Sequence, residues 1–220
     1  MKTIYFTLLA LMLALTGFGQ QRCSHGSSFE KSILSDTLDA LSYTIYLSDF
    51  DFGAEEFKGQ TDVVLMSKID DLDEVKLELQ DLTVDSVFID GSEIEGFSHE
   101  GFFVHIPLPD AINTGEVVTA TVFYHGHPFH ESWGGFHWAG EYCFNLGVGF
   151  VSIPHNLGKT WFPCIDDFQD RATYDVHVTI EEGKDAVCGG LLESITNNVD
   201  GTRTYHWSLE QTIPTYLASV

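Results

Sequence analysis

The stretch Lys159-Thr160-Trp161-Phe162-Pro163-Cys164-Ile165-Asp166-Asp167-Phe168-Gln169-Asp170-Arg171-Ala172-Thr173-Tyr174-Asp175-Val176-His177-Val178-Thr179-Ile180 decides the fold. From Tyr174 onward every second residue is apolar or aromatic, the period of a strand with one buried face. Working outward, the same alternation recurs in Ser42 to Leu47, Gly59 to Met66, Val75 to Leu79, Thr83 to Ile89, Phe102 to Ile106 and Glu116 to His125. Val75, Leu77 and Leu79 share one face while Lys76 and Glu78 take the other. Asp90-Gly91 supplies the positive φ angles of a tight hairpin. No segment sustains an apolar 3.6-residue repeat, and strands spaced ~8–12 residues apart without intervening helices predict an all-β sandwich or large twisted sheet with little helix. One domain over residues 41–220 is the simplest division.

The first residues read as an address. Lys2 begins a positively charged segment, Ile4 to Leu15 form a short apolar run, and Gly17-Phe18-Gly19 offers small residues where a signal peptidase inspects the chain. This predicts a signal peptide over 1–19, export to the periplasm, cell surface or medium, and no membrane span after cleavage, since the run is shorter than the ~20 residues a span needs. Residues 20–40 form a Ser-rich N-terminal extension before the first strand. With 33 acidic against 10 basic side chains and a formal charge of −23, the surface repels phosphate backbones and anionic headgroups, which argues against a nucleic-acid partner.

Four cysteines, Cys23, Cys143, Cys164 and Cys188, are too sparse for a disulfide scaffold and none has Cys-x-x-Cys spacing. Every pairing of the four stays open. Cys164 and Cys188 sit in or beside apolar strand sequence, where a thiol behaves as a small hydrophobe.

Six elements in order carry a family resemblance: Trp161-Phe162-Pro163-Cys164-Ile165-Asp166, then Arg171-Ala172-Thr173-Tyr174, Gly190-Leu191-Leu192, Asp200-Gly201, His206-Trp207 and Tyr216-Leu217-Ala218-Ser219-Val220. The chain resembles the N-terminal domain of the gluzincin, aminopeptidase N-like zinc metallopeptidases, sharply from about residue 134 and by strand pattern alone before about 127. The resemblance implies a saddle-like, antiparallel or mixed β-sheet domain of an exported bacterial enzyme, packed against a catalytic domain of the same polypeptide that holds zinc and receives peptide N-termini. It gives Trp161, Phe162, Pro163, Cys164, Asp166 and Arg171 structural roles. In that family a Gln ahead of the aromatic-Phe-Pro-Cys segment meets the substrate. No Gln lies between Glu141 and Trp161, so Phe150, Ser152 and Ile153 stand in by position as one wall of the cleft.

The chemistry of such an enzyme needs two His at i and i+4 on a helix with a Glu between them. The one His-Glu pair is His130-Glu131, and Gly134 stands where the second His belongs. Adjacent glycines and Pro128 oppose a helix there, so no catalytic residue, metal ligand or cofactor is expected in this chain, and zinc belongs to a domain after residue 220. The alternation running out at Val220 accordingly reads as a fragment's end.

The remaining clusters have plainer readings. His125 and His127 share a strand face and could begin a metal site with His130 and His137, but Gly126 and Pro128 interrupt them and Glu131 is the one carboxylate nearby. Asp70-Asp71-Leu72-Asp73-Glu74 lacks the Gly and distant Glu of a calcium loop and reads as a solvated turn. Asp166, Asp167, Asp170 and Arg171 suggest a capped turn with Arg171 paired to a carboxylate. Asn145-Leu146-Gly147-Val148-Gly149-Phe150 lacks a third Gly before a helix and reads as backbone that must approach closely, not a nucleotide loop. The alternative function is a free-standing extracytoplasmic β-sandwich that binds carbohydrate or protein through Trp133, Phe136 and Trp138.

Overall fold

The computed structural model describes residues 34–220. The leader, most of the N-terminal extension and Cys23 lie outside the described residues. A single turn of helix, α1 (Leu34–Thr37), leads into β1 (Leu38–Asp51), so the first strand starts slightly ahead of the boundary read from sequence. The chain continues through β2 (Glu56–Ser67), β3 (Leu72–Glu78), β4 (Thr83–Ile89), β5 (Ser92–Glu93), β6 (Ser98–Glu100), β7 (Phe103–Ile112) and β8 (Val117–Gly126). It ends with β9 (Gly135–Ala139), β10 (Tyr142–Leu146), β11 (Ala172–Glu181), β12 (Leu191–Asn197) and β13 (Thr202–Ile213).

Eight strands form one mixed sheet in the order β12-β13-β11-β1-β2-β8-β4-β5. Within it β1 and β11 run parallel, Tyr43 opposite Tyr174 and Ile45 opposite Val176, and the other neighbours are antiparallel. A three-stranded sheet, β3-β7-β6, and the β9-β10 hairpin complete the fold. Alternation explains the layering. Tyr43, Ile45, Leu47, Val63, Leu65, Val122, Val176 and Val178 are buried on one face, while Thr44, Tyr46, Asp62, Thr121, Asp175 and His177 stay exposed or half-buried on the other. Val75, Leu77, Val104 and Ile106 from β3 and β7 join the same core, which makes the arrangement sandwich-like. The Asp90-Gly91 turn is as its residues require, with φ of 49° and 79°. Among the described residues no helix is long and apolar enough to cross a membrane.

The first part of the segment that decided the sequence reading, ahead of β11, links the two sheets. Glu78 and Cys164 exchange backbone hydrogen bonds of 2.7 and 3.0 Å. From the other side the Tyr124 hydroxyl donates to the Trp161 carbonyl at 3.0 Å, and the Ile165 N–H donates to the Tyr43 hydroxyl at 3.0 Å. Phe162 meets Tyr43 edge-on with centroids 5.4 Å apart. Trp161, Phe162, Pro163, Cys164 and Asp166 are all buried.

Two expectations for this region change. The carboxylate partner is Lys159, not Arg171: Lys159 Nζ lies 2.8 Å from Asp166 Oδ2 with both residues almost completely buried. Arg171 is exposed and takes part in no ion pair among the described residues. It precedes β11, where Asp170 Oδ1 already accepts from the Ala40 N–H at 3.2 Å and sits on the inner side. Nor do residues 216–220 form a strand. Pro214 cannot donate to a ladder, β13 stops at Ile213, and Thr215–Leu217 makes a 3₁₀ turn whose Thr215 hydroxyl donates to Asp166 Oδ1 at 2.6 Å. Val220 then pairs its N–H with Asn145 Oδ1 at 2.9 Å. The thiols of Cys143, Cys164 and Cys188 are free, and burial pushes Cys143 up to about 11 and Cys188 up to about 12.

The buried pair sets two expected outcomes. Asp166→Ala strands the Lys159 ammonium without its counter-ion and should cost about 3–5 kcal/mol in denaturant unfolding, whereas replacing both partners by apolar residues of similar volume should recover much of the loss. Glu78, beside Asp166, Asp167 and Lys159, is pushed up to about 7 from an ordinary 4.5, first by burial and then by Asp166. The folded state therefore keeps this proton after the unfolded chain has released it, and its contribution to stability falls as pH rises from 4.5 to about 7 and is flat above. Measured across that range, Glu78→Gln should remove this part of the slope.

Candidate functional site

The expected cleft-wall residues fall on the loop 148–156, which is closed at its base and pinned at its tip. At the base Val148 and Asn156 form a bridge, the Gly149 N–H donates to the His155 carbonyl at 2.7 Å, and the Leu157 N–H donates to the Gly147 carbonyl at 2.8 Å. At the tip the Glu131 carboxylate accepts four hydrogen bonds. Its Oε1 takes the N–H groups of Phe150 and Val151 at 2.5 and 2.9 Å, and its Oε2 takes the Ser152 N–H and hydroxyl at 2.8 and 2.7 Å. The Val151 amide and Ser152 hydroxyl lead in holding this exposed carboxyl down to about 2.

Local sequence explains why Glu131 reaches the loop. The Glu131 N–H donates to the Gly134 carbonyl at 3.0 Å and the Phe136 N–H to the Phe129 carbonyl at 2.9 Å, folding residues 129–136 into a tight reversal. A Cβ on Gly134, at φ 118°, would sit 2.6 Å from the Gly149 Cα, and one on Gly149 would sit 2.6 Å from Glu131 Oε1. Both glycines are needed for the two backbones to meet, which realises the close approach read from the Gly-rich stretch.

The loop presents apolar surface on a fixed backbone. Phe150, Val151 and Ile153 are 72%, 73% and 68% exposed, and the Trp133 ring stacks on Phe150 with centroids 6.1 Å apart. Of the three expected wall residues, Phe150 and Ile153 point outward, whereas the Ser152 hydroxyl is committed to Glu131. Gly147 at the base lies against the Tyr216 carbonyl, and Tyr216 in turn packs against Phe168, so the loop stands beside further exposed apolar groups, Phe168 and Leu217. The base of the loop is tied to the motif residue Asp166: Lys159 Nζ donates to the Asn156 carbonyl at 2.7 Å and Asn156 Nδ2 donates to the Asp166 carbonyl.

Glu131 is the residue whose structural part in this loop sequence reading missed, having weighed it only as a carboxylate beside the histidines. Its partners lie about 20 positions away across an irregular loop, a separation with no periodic signature, and only the nearby Gly134 and Gly149 hinted at close approach.

A zinc ion does not fit these residues. The Glu131 carboxylate is saturated by loop donors, Gly134 occupies the position of the second ligand, and among the described residues no group of three His, Cys, Asp or Glu is placed to hold a metal. His125 is hydrogen-bonded to Asp85 at 2.9 Å, while His130 packs on His137 with centroids 5.2 Å apart. The aromatic triad suggested for a binding module is divided as well. Phe136 is fully buried against Phe57, Trp138 packs on Phe50 and Phe52, and Trp133 alone is exposed.

Comparison with known proteins agrees with this geometry. The family described as the Peptidase M1 N-terminal domain matches residues 40–217. The M1 zinc metallopeptidase of Deinococcus radiodurans superposes with a TM-score of 0.73 at 23% identity, over 83% of this chain and 41% of that one. A two-domain M1 zinc metallopeptidase bound to L-tryptophan gives a TM-score of 0.74 at 22% identity, over 83% and 42%. Transcription initiation factor TFIID subunit 2 is similar over 61 residues, 36% identical in Drosophila melanogaster and 34% in Danio rerio, which is 27% of this chain and 5% of theirs. The chain thus spans well under half the length of each.

Replacing Glu131 should free the loop. In Glu131→Ala the amides of residues 150–152 lose their acceptors and should exchange with solvent at least ~10-fold faster, with Glu131→Gln behaving similarly because its amide turns a donor toward donors. In the unsubstituted chain the same protection should hold above pH 4.5 and fade as pH falls toward about 2, because the folded carboxyl is held below its ordinary value.

Proposed function

Because this chain belongs to the Peptidase M1 N-terminal domain family, we propose that it is the non-catalytic N-terminal domain of an exported zinc aminopeptidase and that it forms one wall of the cleft that receives peptide N-termini. The observation that carries this reading is the loop 148–156: three exposed apolar side chains on a backbone whose amides are already satisfied by Glu131. A wall of this kind gains from being covered, at about 25 cal/mol per Å² of apolar surface, and pays little ordering entropy because it is rigid beforehand.

The residues of this chain bind and orient; they do not carry out bond cleavage. Phe150 and Ile153 exclude water on one side of a bound peptide and favour an apolar first side chain. The formal charge of −23 draws in the α-ammonium of a free N-terminus over long range, an effect that weakens with salt. Zinc would act as Lewis acid toward the scissile carbonyl in a domain downstream in the same polypeptide, and the exposed Phe168 and Leu217 provide part of the border on which that domain rests. Export rests on the leader-like residues 1–19.

The purified chain should turn over no aminoacyl chromogenic substrate and carry no stoichiometric zinc, and the reading frame past codon 220 should encode a helical domain with His-Glu-x-x-His. Chelator-sensitive turnover by this chain alone would overturn the assignment. In the longer polypeptide, Phe150→Ala combined with Ile153→Ser should raise KM for apolar N-terminal residues about 10-fold with a smaller change in kcat.

A further inference from the structure

The eight-stranded sheet treats its two edges differently. At one end β5 is two residues long, which leaves almost nothing to pair with. At the other end β12 is open along seven residues, every one of them exposed, and its backbone bonds nothing except β13 among the described residues. Leu191-Leu192-Glu193-Ser194-Ile195-Thr196-Asn197 contains no Pro and no Lys, two of the residues that protect an edge. Leu192 is 44% exposed and Ile195 47%, and they share a face, so the edge offers apolar side chains as well as unpaired backbone groups.

Beside this edge runs an open groove of about 390 Å³ lined by Gly190, Leu191, Glu193, Ser208, Glu210 and Gln211. The register shift between Leu192 and Ser194 leaves Glu193 without an opposite residue on β13, outside the regular ladder. Neither Glu193 nor Glu210 is paired with a cation among the described residues, and both are exposed. A second copy of this chain is a poor occupant, because it would bring Glu193 toward its own counterpart and set two bodies of formal charge −23 against each other.

We propose that the β12 edge is a docking site for an extended peptide segment with alternating basic and apolar residues, which adds to the large sheet as a ninth strand. Main-chain hydrogen bonds to β12 supply affinity and the side-chain alternation supplies selectivity. Lysine or arginine side chains on one face of the added strand meet Glu193 and Glu210, while apolar residues on its other face cover Leu192 and Ile195, which the register shift brings to one side of β12. The acidity of the whole chain accelerates the encounter, and the local carboxylates fix the register.

The test is titration of the full chain, at physiological ionic strength, with a peptide alternating Lys and Val and with an equally long peptide alternating Glu and Val. The basic peptide is expected to bind at least about tenfold more tightly, with slowed amide exchange confined to residues 191–197. E193K/E210K should lose that preference, while E93K/E95K at the opposite edge, with the same change in total charge, should keep it. Equal binding of the two peptides overturns the proposal, as does an equal loss in E93K/E95K, which would mean general attraction to an acidic surface. Unchanged exchange at residues 191–197 overturns it too. So does a concentration-dependent dimer that protects those amides without peptide, since that would assign the edge to a second copy.

Discussion

The ion pair between Lys159 and Asp166 is the constraint around which the rest of the molecule is arranged. Both charges are out of water, and a buried ion left without its partner costs several kcal/mol. The 3₁₀ turn Gly158–Thr160, which carries Lys159, must therefore lie against the segment that carries Asp166, and the remaining lone pairs and protons of both groups must find partners. They do so by drawing in distant parts of the chain. Thr215 comes from beyond the last strand, the Glu78 carboxyl accepts the Asp166 N–H, and the Asn156 carbonyl accepts from the Lys159 ammonium. A Cβ on Gly158 would strike Asp166 Oδ1 at 2.8 Å, so the chain passes the pair with no room to spare. Trp161 and Phe162, fully buried in the hydrophobic core a few residues away, belong to the water-excluded surroundings in which such a pairing is stronger.

The exposed loop inherits its rigidity from this centre. Asn156 belongs both to the polar cluster and to the base of loop 148–156, through its bridge to Val148. Glu131 then fixes the tip from a separate reversal of the chain. Two independent anchors hold an apolar surface that would otherwise collapse onto the core or fray, and the loop can remain uncovered in this chain and still be shaped in advance for what covers it. The free edge at β12 lies at the far end of the sheet order from β5, and its residues 191–197 share no hydrogen bond or ion pair with loop 148–156 among the described residues.

What could be read along the chain depended on how local its cause was. The strand at Tyr174 to Ile180 and the Asp90-Gly91 turn each follow from neighbours one to three residues apart, and each stands where sequence placed it, whereas the half-buried pattern of Val75 to Leu79 breaks at Glu78, which is buried in the polar cluster. Alternation misled at Tyr216 to Val220, where apolar residues of the right period follow Pro214 and a Thr215 hydroxyl already committed to Asp166. Phe136 looked like a surface ring and is buried, because the β9-β10 hairpin folds back onto Phe57. Arg171 was the obvious cation beside three aspartates, yet it is Lys159, seven positions before Asp166, that is turned inward.

Sequence by itself determined the all-β class, the approximate strand boundaries, the acidic surface and the family motif from Trp161 to Asp166, since these depend on composition, on a period of two and on contiguous residues. Tertiary structure decided which cation neutralises Asp166, that Glu131 clamps the loop bearing Phe150 and Ile153, and which sheet edge is left open. Hydrogen bonds and ion pairs of that kind join residues whose separation along the chain has no periodicity, and they form only after the sheets have packed and excluded water from the charges between them.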